Sequence, residues 1–290
     1  MAKTLITGAT GNIGFQVIRF LLQTKTSNQI IAGVRNIDKA KLIFQDHQNL
    51  EFVRFDLGDP NTYDEALEDV DKIFLLRPPQ ITDINRYFRP FILRIRNRKI
   101  LKLVFLSVQG ADRSKIIPHY KIEQLIKSQN LNYIFLRPSY FMQNLTTTLY
   151  QDIKTKRQII LPAGKAKFNW IDINNIGEVA AFVLNNFEAH SNRVYDITGL
   201  ENKSFYEVTQ LINSEISNNI IYKSVNPIHF LILKMKAGMS FGKTMVLIIL
   251  HYLPRFQKEP KISNNYEVLM GKEPTTLQSF IEREKKLFED

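Results

Sequence analysis

The sequence predicts an α/β protein: a doubly wound parallel sheet followed by a smaller carboxy-terminal α+β lobe. Three observations carry that expectation. Residues 1–140 alternate short apolar runs with amphipathic ones, the pattern of parallel strands joined by crossover helices. The first alternation contains Thr7-Gly8-Ala9-Thr10-Gly11-Asn12-Ile13-Gly14, a glycine-rich run between a strand and a helix. Beyond Ser139 the alternation loses its regularity.

Strands are expected at Thr4–Thr7, Gln29–Val34, Leu50–Asp56, Lys72–Leu76, Lys102–Ser107 and Asn132–Leu136, the last ended by Arg137-Pro138. The intervening helices are expected at Ile13–Thr24, Ile37–Gln45, Asn61–Leu67 (opened by Asp59-Pro60), Ile84–Arg98 and His119–Ser128. Further on, Ile159–Trp170 reads as extended segments around Pro162-Ala163-Gly164. Arg193–Thr198 reads as a strand, and Asp172–Asn185, Phe205–Ser214, Pro227–Pro254 and Thr276–Phe288 read as helices. The expected division is a nucleotide-binding domain over 1–150, rejoined by parts of 170–200, and a substrate-binding lobe over 151–290.

With 290 residues, 44% of them hydrophobic, the chain has enough material for a substantial core. It has no cysteine, which excludes disulfides and thiolate catalysis. No secretory leader is read at the start. The longest apolar run, Met245–Leu250, is far short of the roughly 20 residues that span a membrane. The expectation is a soluble cytoplasmic chain with no membrane partner. The net charge of +11 includes a dense patch at Arg86, Arg89, Arg94, Arg96, Arg98, Lys99 and Lys102. No zinc-ligand spacing or RNA-binding signature accompanies it. It reads as a solvated helix face with no nucleic acid expected, an anionic partner being the alternative.

The glycine run has the order a dinucleotide site needs. Gly8 permits a tight strand-to-helix turn, Gly11 lets the backbone approach a pyrophosphate, and Gly14 lets the helix pack on its strand. The pyrophosphate would sit on the helix N-terminus, with Thr10, Asn12 and Ile13 beside it. A site for NAD usually carries an acidic residue at the end of the second strand; here that strand ends in Val34-Arg35. A guanidinium suits a 2′-phosphate, which favours NADP(H) over NAD(H). Asp56 could bond the adenine amino group and Leu57 pack on its ring. Leu76, Arg77 and Pro78 would hold an exposed backbone near the phosphates, and Ser107 and Val108 end the strand where chemistry usually sits. A purely structural turn explains the last two groups about as well.

Together these stretches resemble the atypical short-chain dehydrogenase/reductase superfamily. More narrowly the chain resembles its NmrA-like group, which includes NADPH-dependent quinone reductases, azoreductases and redox-sensing regulators. Besides the glycine run and Val34-Arg35, the resemblance rests on Leu106-Ser107-Val108-Gln109-Gly110-Ala111, His119-Tyr120-Lys121-Ile122-Glu123 and Leu136-Arg137-Pro138-Ser139-Tyr140-Phe141-Met142-Gln143-Asn144. It covers residues 1–200 and becomes diffuse after that. It implies a Rossmann domain, NADP(H) binding and a small carboxy-terminal substrate lobe.

Active members of that superfamily generally use a Tyr-x-x-x-Lys pair on the helix between strands 5 and 6. Here Tyr120 is followed four residues later by Gln124, so the pair is broken. A true match, Tyr150–Lys154, lies after strand 6 and reads as a chance occurrence. What remains is His119, expected to donate to a carbonyl oxygen or to the nicotinamide ribose, and Lys121, expected to reach a ribose hydroxyl or phosphate. Glu123 shares a helix face with His119 and has a structural reading as a partner. Pro138, Tyr140 and Phe141 follow strand 6; the two aromatic residues could cover the nicotinamide or a planar substrate, or simply pack in a core. Phe168–Asp172 could add a wall, with Asp172 favoured as a helix cap.

The leading expectation is an NADPH-dependent oxidoreductase acting on a quinone-like or other planar small molecule. One alternative is a catalytically silent NADP-sensing regulator that docks a partner protein. Another is an enzyme like the nucleotide-sugar epimerases or isoflavone reductases.

Overall fold

The computed structural model describes residues 2–24, 28–44, 47–115 and 117–289. The chain first runs β1 (Lys3–Thr7), α1 (Asn12–Gln23), β2 (Gln29–Val34), α2 (Ile37–Phe44), β3 (Leu50–Arg54) and α3 (Tyr63–Ala66). It continues through β4 (Lys72–Leu76), α4 (Ile84–Asn97), β5 (Lys102–Leu106), α5 (Pro118–Ser128) and β6 (Asn132–Pro138). Next come β7 (Tyr140–Phe141), α6 (Tyr150–Lys156), β8 (Gln158–Leu161), β9 (Lys167–Ile171), α7 (Ile173–Asn185), α8 (Phe187–His190) and β10 (Arg193–Ile197). The remainder is β11 (Asn202–Ser204), α9 (Phe205–Glu215), β12 (Ile221–Ser224), α10 (Pro227–Lys236), α11 (Phe241–Tyr252), α12 (Asn265–Met270) and α13 (Leu277–Glu289). Contacts divide it into two units, Met1–Pro138 with Ile173–Ile197, and Ser139–Asp172 with Thr198–Asp290.

In the first unit, seven strands among the described residues form one parallel sheet in the order β10-β6-β5-β4-β1-β2-β3. Strand interiors such as Ile73-Phe74-Leu75, Leu103-Val104-Phe105 and Ile134-Phe135-Leu136 are fully buried, as in a sheet covered on both faces. The order reverses between β1 and β4, which puts the ligand crevice of such a sheet at their carboxyl ends. The amphipathic α4 buries Phe88, Phe91, Ile92 and Ile95. On its outer side Arg94 and Arg98 both reach Asp64, and Lys102 just beyond pairs with Glu188. Much of the basic patch is therefore a solvated, partly neutralised face.

Several boundaries differ from the sequence expectation for local reasons. β3 stops at Arg54 because Asp56 opens a turn, its Oδ1 accepting from the Gly58 N–H at 2.8 Å. The helix expected over Asn61–Leu67 starts as a 3₁₀ turn over Pro60–Thr62, capped by Asp59, and only then becomes α3. Gln45, expected to end α2, lies outside the described residues. β6 runs on through Arg137-Pro138, because β10 pairs alongside it with Asp196 opposite Arg137 and Ile197 opposite Pro138. The chain leaves the first unit after Pro138, where the pattern placed the change at residue 150. It re-enters with α7 and β10, which adds an edge strand beyond β6.

The second unit has two small sheets among the described residues. β9 lies between β7 (parallel) and β11 (antiparallel), and β8 pairs in parallel with β12. Its core is aromatic: Tyr140, Phe168, Trp170 and Phe205 have ring centres 4.9–6.0 Å apart. The stretch Pro227–Pro254, expected to be helical, forms two helices, α10 and α11, separated at Gly238, whose φ of 82° no helix continues through.

Candidate functional site

The turn after β1 is built around its glycines. Gly8 has φ +61°, and a Cβ there would stand 2.9 Å from the Leu76 side chain on β4. A Cβ on Gly14 would lie 2.3 Å from the Gly8 carbonyl oxygen and 2.9 Å from the Ala9 Cα, backbone that cannot yield. Gly11 is extended, caps α1 with no side-chain hydrogen bond, and donates its N–H to Gly8 O at 2.9 Å. No acidic residue stands in the first turn of α1, so its leading N–H groups and positive dipole end suit an anion. Thr10, Gly11 and Asn12 are exposed beside them, while the Ile13 side chain points into the core. At the switch point the Thr7 hydroxyl donates to the Phe74 carbonyl and accepts from the Leu76 N–H, each at 3.1 Å.

Arg35 follows β2 directly and is exposed, with no ion-pair partner among the described residues. The next residue, Asn36, caps α2 by accepting from the Lys39 N–H at 2.9 Å. Asp56 is half-buried. Leu57, expected to pack on an adenine ring, has its side chain in the core, and its carbonyl takes a 2.7 Å hydrogen bond from Tyr63. Arg77 does not reach outward either. Its Nη1 turns back to the carbonyls of Pro78, Pro79 and Ile81 at 3.2, 3.1 and 2.6 Å and holds the loop after β4 in shape.

His119 lies in the first turn of α5, where its Nε2 accepts from Arg77 Nε at 3.5 Å. Burial, and then the Arg77 charge, lowers its pKa to about 3. The ring is neutral at physiological pH, so the donor role expected of His119 narrows to its Nδ1–H. Lys121 and Gln124 are exposed on the same helix.

Glu123 is completely buried and carries most of the local polar structure. It accepts from Ser107 Oγ at 2.6 Å, and from Arg137 through Nε at 2.9 Å and Nη2 at 2.6 Å. Arg137 Nη1 also lies 3.3 Å from Asp112. The Ser107 hydroxyl, expected to face a cofactor, is thus engaged inward, and the network ties β5, α5 and β6 together. The backbone beyond Ser107 turns tightly: Ala111 N–H donates to Val108 O at 3.1 Å, and Gly110 has φ 80°. Pro138 is buried, its carbonyl accepting from Gln109 N–H at 2.9 Å.

In the second unit, Tyr140 is not free for proton transfer. Its hydroxyl meets His251 Nε2 at 2.9 Å, and His251 Nδ1 lies 2.7 Å from the Leu247 carbonyl. A carbonyl only accepts, so Nδ1 carries the hydrogen and the phenol donates to Nε2. Burial raises the Tyr140 pKa far above its ordinary value and lowers that of His251 to about 4. Phe141 lies on β7 opposite Ile171. Asp172 is fully buried, accepting from Gln143 Nε2 at 2.6 Å and Arg283 Nη1 at 2.7 Å. His251, Gln143 and Arg283 carry no local sequence signal, because their partners are 29 to 111 residues away. Tyr150 and Lys154 lie on α6, the ammonium 5.8 Å from the ring centre, as neighbours on one helix face. Among the described residues no His, Cys, Asp and Glu cluster could hold a metal ion.

The sheet order with its glycine turn on the first βα connection defines a Rossmann-type dinucleotide fold. A sequence profile of the NmrA-like family matches residues 1–281. The chain belongs to that family, one of NAD(P)H-binding oxidoreductases. It is 30% identical to prestalk A differentiation protein A of Dictyostelium discoideum over 276 residues, 95% of this chain and 90% of that one. It is 28% identical to NAD(P)H azoreductase of Xenophilus azovorans over 225 residues, 76% of each chain. It is similar in fold to an NADPH-dependent quinone oxidoreductase of Escherichia coli crystallised with NADPH. The TM-score is 0.83 at 22% identity, over 97% of this chain and 99% of that one.

Proposed function

We propose that the first unit binds NADPH and that the protein passes hydride to a quinone-like or other planar acceptor. The observation that carries this reading is the uncapped N-terminus of α1 behind Gly8, Gly11 and Gly14, with the exposed Arg35 at the end of the adjacent strand. The backbone N–H groups of Asn12 and Ile13 hold the pyrophosphate, and Thr10 adds a hydroxyl beside them. Arg35 takes the 2′-phosphate. Asp56 faces the adenine amino group, and the backbone of Leu76, Pro78 and Val108 lines the crevice. Lys121 binds the nicotinamide ribose, and the neutral His119 orients it or the acceptor. Pro138, at the end of β6, belongs to the same reading as a wall. When bound, NADPH supplies the hydride, and the chain supplies position and dryness.

A planar acceptor fits because such reduction does not demand a strong proton donor from the protein. α5 has no Tyr-x-x-x-Lys pair, and the Ser107 and Tyr140 hydroxyls are both engaged elsewhere. The same facts weigh against epimerase-like chemistry, where a hydroxyl proton is removed and replaced. They also favour one second reading, a catalytically silent NADP-responsive protein. NADPH oxidation against a panel of quinones and azo dyes separates the two: turnover supports the reductase, and tight NADPH binding with no turnover supports the sensor. Arg35→Ala should lower the preference for NADPH over NADH roughly tenfold or more, the worth of one charge-assisted contact. Unchanged selectivity in competitive binding removes Arg35 from the site.

A further inference from the structure

α10 and α11 are apolar on two sides. Their inner sides bury Phe230 and Ile248 in the core of the second unit. Their outer sides carry a second apolar stripe. On α10, Ile228, Ile232 and Met235 are exposed at spacings of four and three, Ile228 to 72%. On α11, Val246, Ile249 and Leu250 are exposed, and just beyond it so are Leu253 and Phe256, the latter to 71%. Large apolar side chains scattered singly need no explanation, but a stripe on each of two helices packed together does.

The charge carried by the segment itself, between Glu215 and Glu259, has one sign. From Ile216 to Lys258 the sequence holds six Lys and Arg residues and no Asp or Glu. Lys236, Lys243, Arg255 and Lys258 are exposed. Lys234 is the exception, turned inward to Asp152. We propose that this helical pair docks the protein on an anionic membrane surface, the apolar stripes entering the acyl boundary and the lysines and arginine meeting lipid phosphates and carboxylates. Neither helix is long and apolar enough to cross a bilayer, so the contact is peripheral. A second copy of the chain is a poorer occupant. A two-fold contact would set this basic face against itself, with no acidic residue in the segment to answer it.

Flotation of the full-length protein with vesicles tests this. It should float with vesicles of equal parts phosphatidylcholine and phosphatidylserine, stay behind with phosphatidylcholine alone, and be released by high salt. Ile228→Asp combined with Ile249→Asp should lower the vesicle-bound fraction at least tenfold. Both positions are exposed, so thermal unfolding and NADPH binding should hold. Lys243→Glu should weaken binding by roughly an order of magnitude, as expected for reversing one charge near an anionic surface. The proposal is overturned if the wild-type protein ignores the anionic vesicles, or if the double variant floats as well as wild type. It also fails if the protein ignores vesicles but forms a dimer, or holds an acidic protein, that the same variants release.

Discussion

Among the described residues each unit buries one carboxylate completely, and the two are held in different ways. Glu123 is gripped bidentately by Arg137, whose side chain is itself only 10% exposed, and by Ser107. Asp172 is met by Gln143 and by Arg283, whose side chain is 39% exposed. The chemistry of the two clasps is nearly the same, but their consequences differ. When Glu123 is lost, Arg137 stays buried and keeps only its longer contact to the exposed Asp112. When Asp172 is lost, Arg283 can turn to water. The position of the cation, more than the burial of the anion, sets what each clasp is worth.

The largest effect follows from that difference. Glu123→Leu should destabilise the protein by about 3–5 kcal/mol in denaturant unfolding. Adding Arg137→Met should recover much of the loss, because no buried charge then remains unpaired. Asp172→Leu should cost less, about 1–3 kcal/mol. Equal losses at the two sites would break the comparison.

Two histidines of lowered pKa sharpen it through pH. His119 and His251 are held neutral, with pKa lowered to about 3 and about 4, against roughly 6.5 in an unfolded chain. The unfolded state therefore binds the extra protons. The stability from each group is complete above about pH 6.5 and is lost as pH falls toward its folded value, at up to about 1.4 kcal/mol per pH unit. His251→Gln keeps an acceptor and a donor, so it should flatten the slope between about pH 6 and the value near 4 by one proton. An unchanged slope would mean His251 does not titrate as its surroundings dictate. The smallest effect belongs to Tyr140→Phe, which removes one hydrogen bond at about 1 kcal/mol and should leave turnover intact. A fall in turnover of roughly a hundredfold would return Tyr140 to proton transfer.

What the sequence shows and what it hides divide along the same lines. The glycine turn is legible because its constraints are local: Gly14 must lack a Cβ because of Gly8 and Ala9, a few residues away. The alternating strands and helices of the first unit are legible because buried parallel strands and amphipathic helices write distinct periods. The inward turn of Ser107 and Arg77 is not, since a residue type does not say which way its side chain points. Glu123 and Arg137 stand 14 residues apart, and Asp172 and Arg283 stand 111 apart, so only the folded chain pairs them. β7, β11 and β12 pass unnoticed because two to four residues cannot show a period.

The pairing of β6 with β10 has a consequence for how the protein is made. β6 ends at Pro138, but β10 begins only at Arg193, after the first and shorter segment of the other unit, Ser139–Asp172, has been translated. Until then the nascent sheet carries an open edge of parallel strand, the kind of surface that recruits other strands. The two units therefore mature in overlapping order on the ribosome, the first finishing after the second has begun. A fragment cut at Pro138 keeps the whole glycine turn but leaves the apolar β6, an inner strand of the whole chain, as its edge, which makes it prone to aggregate.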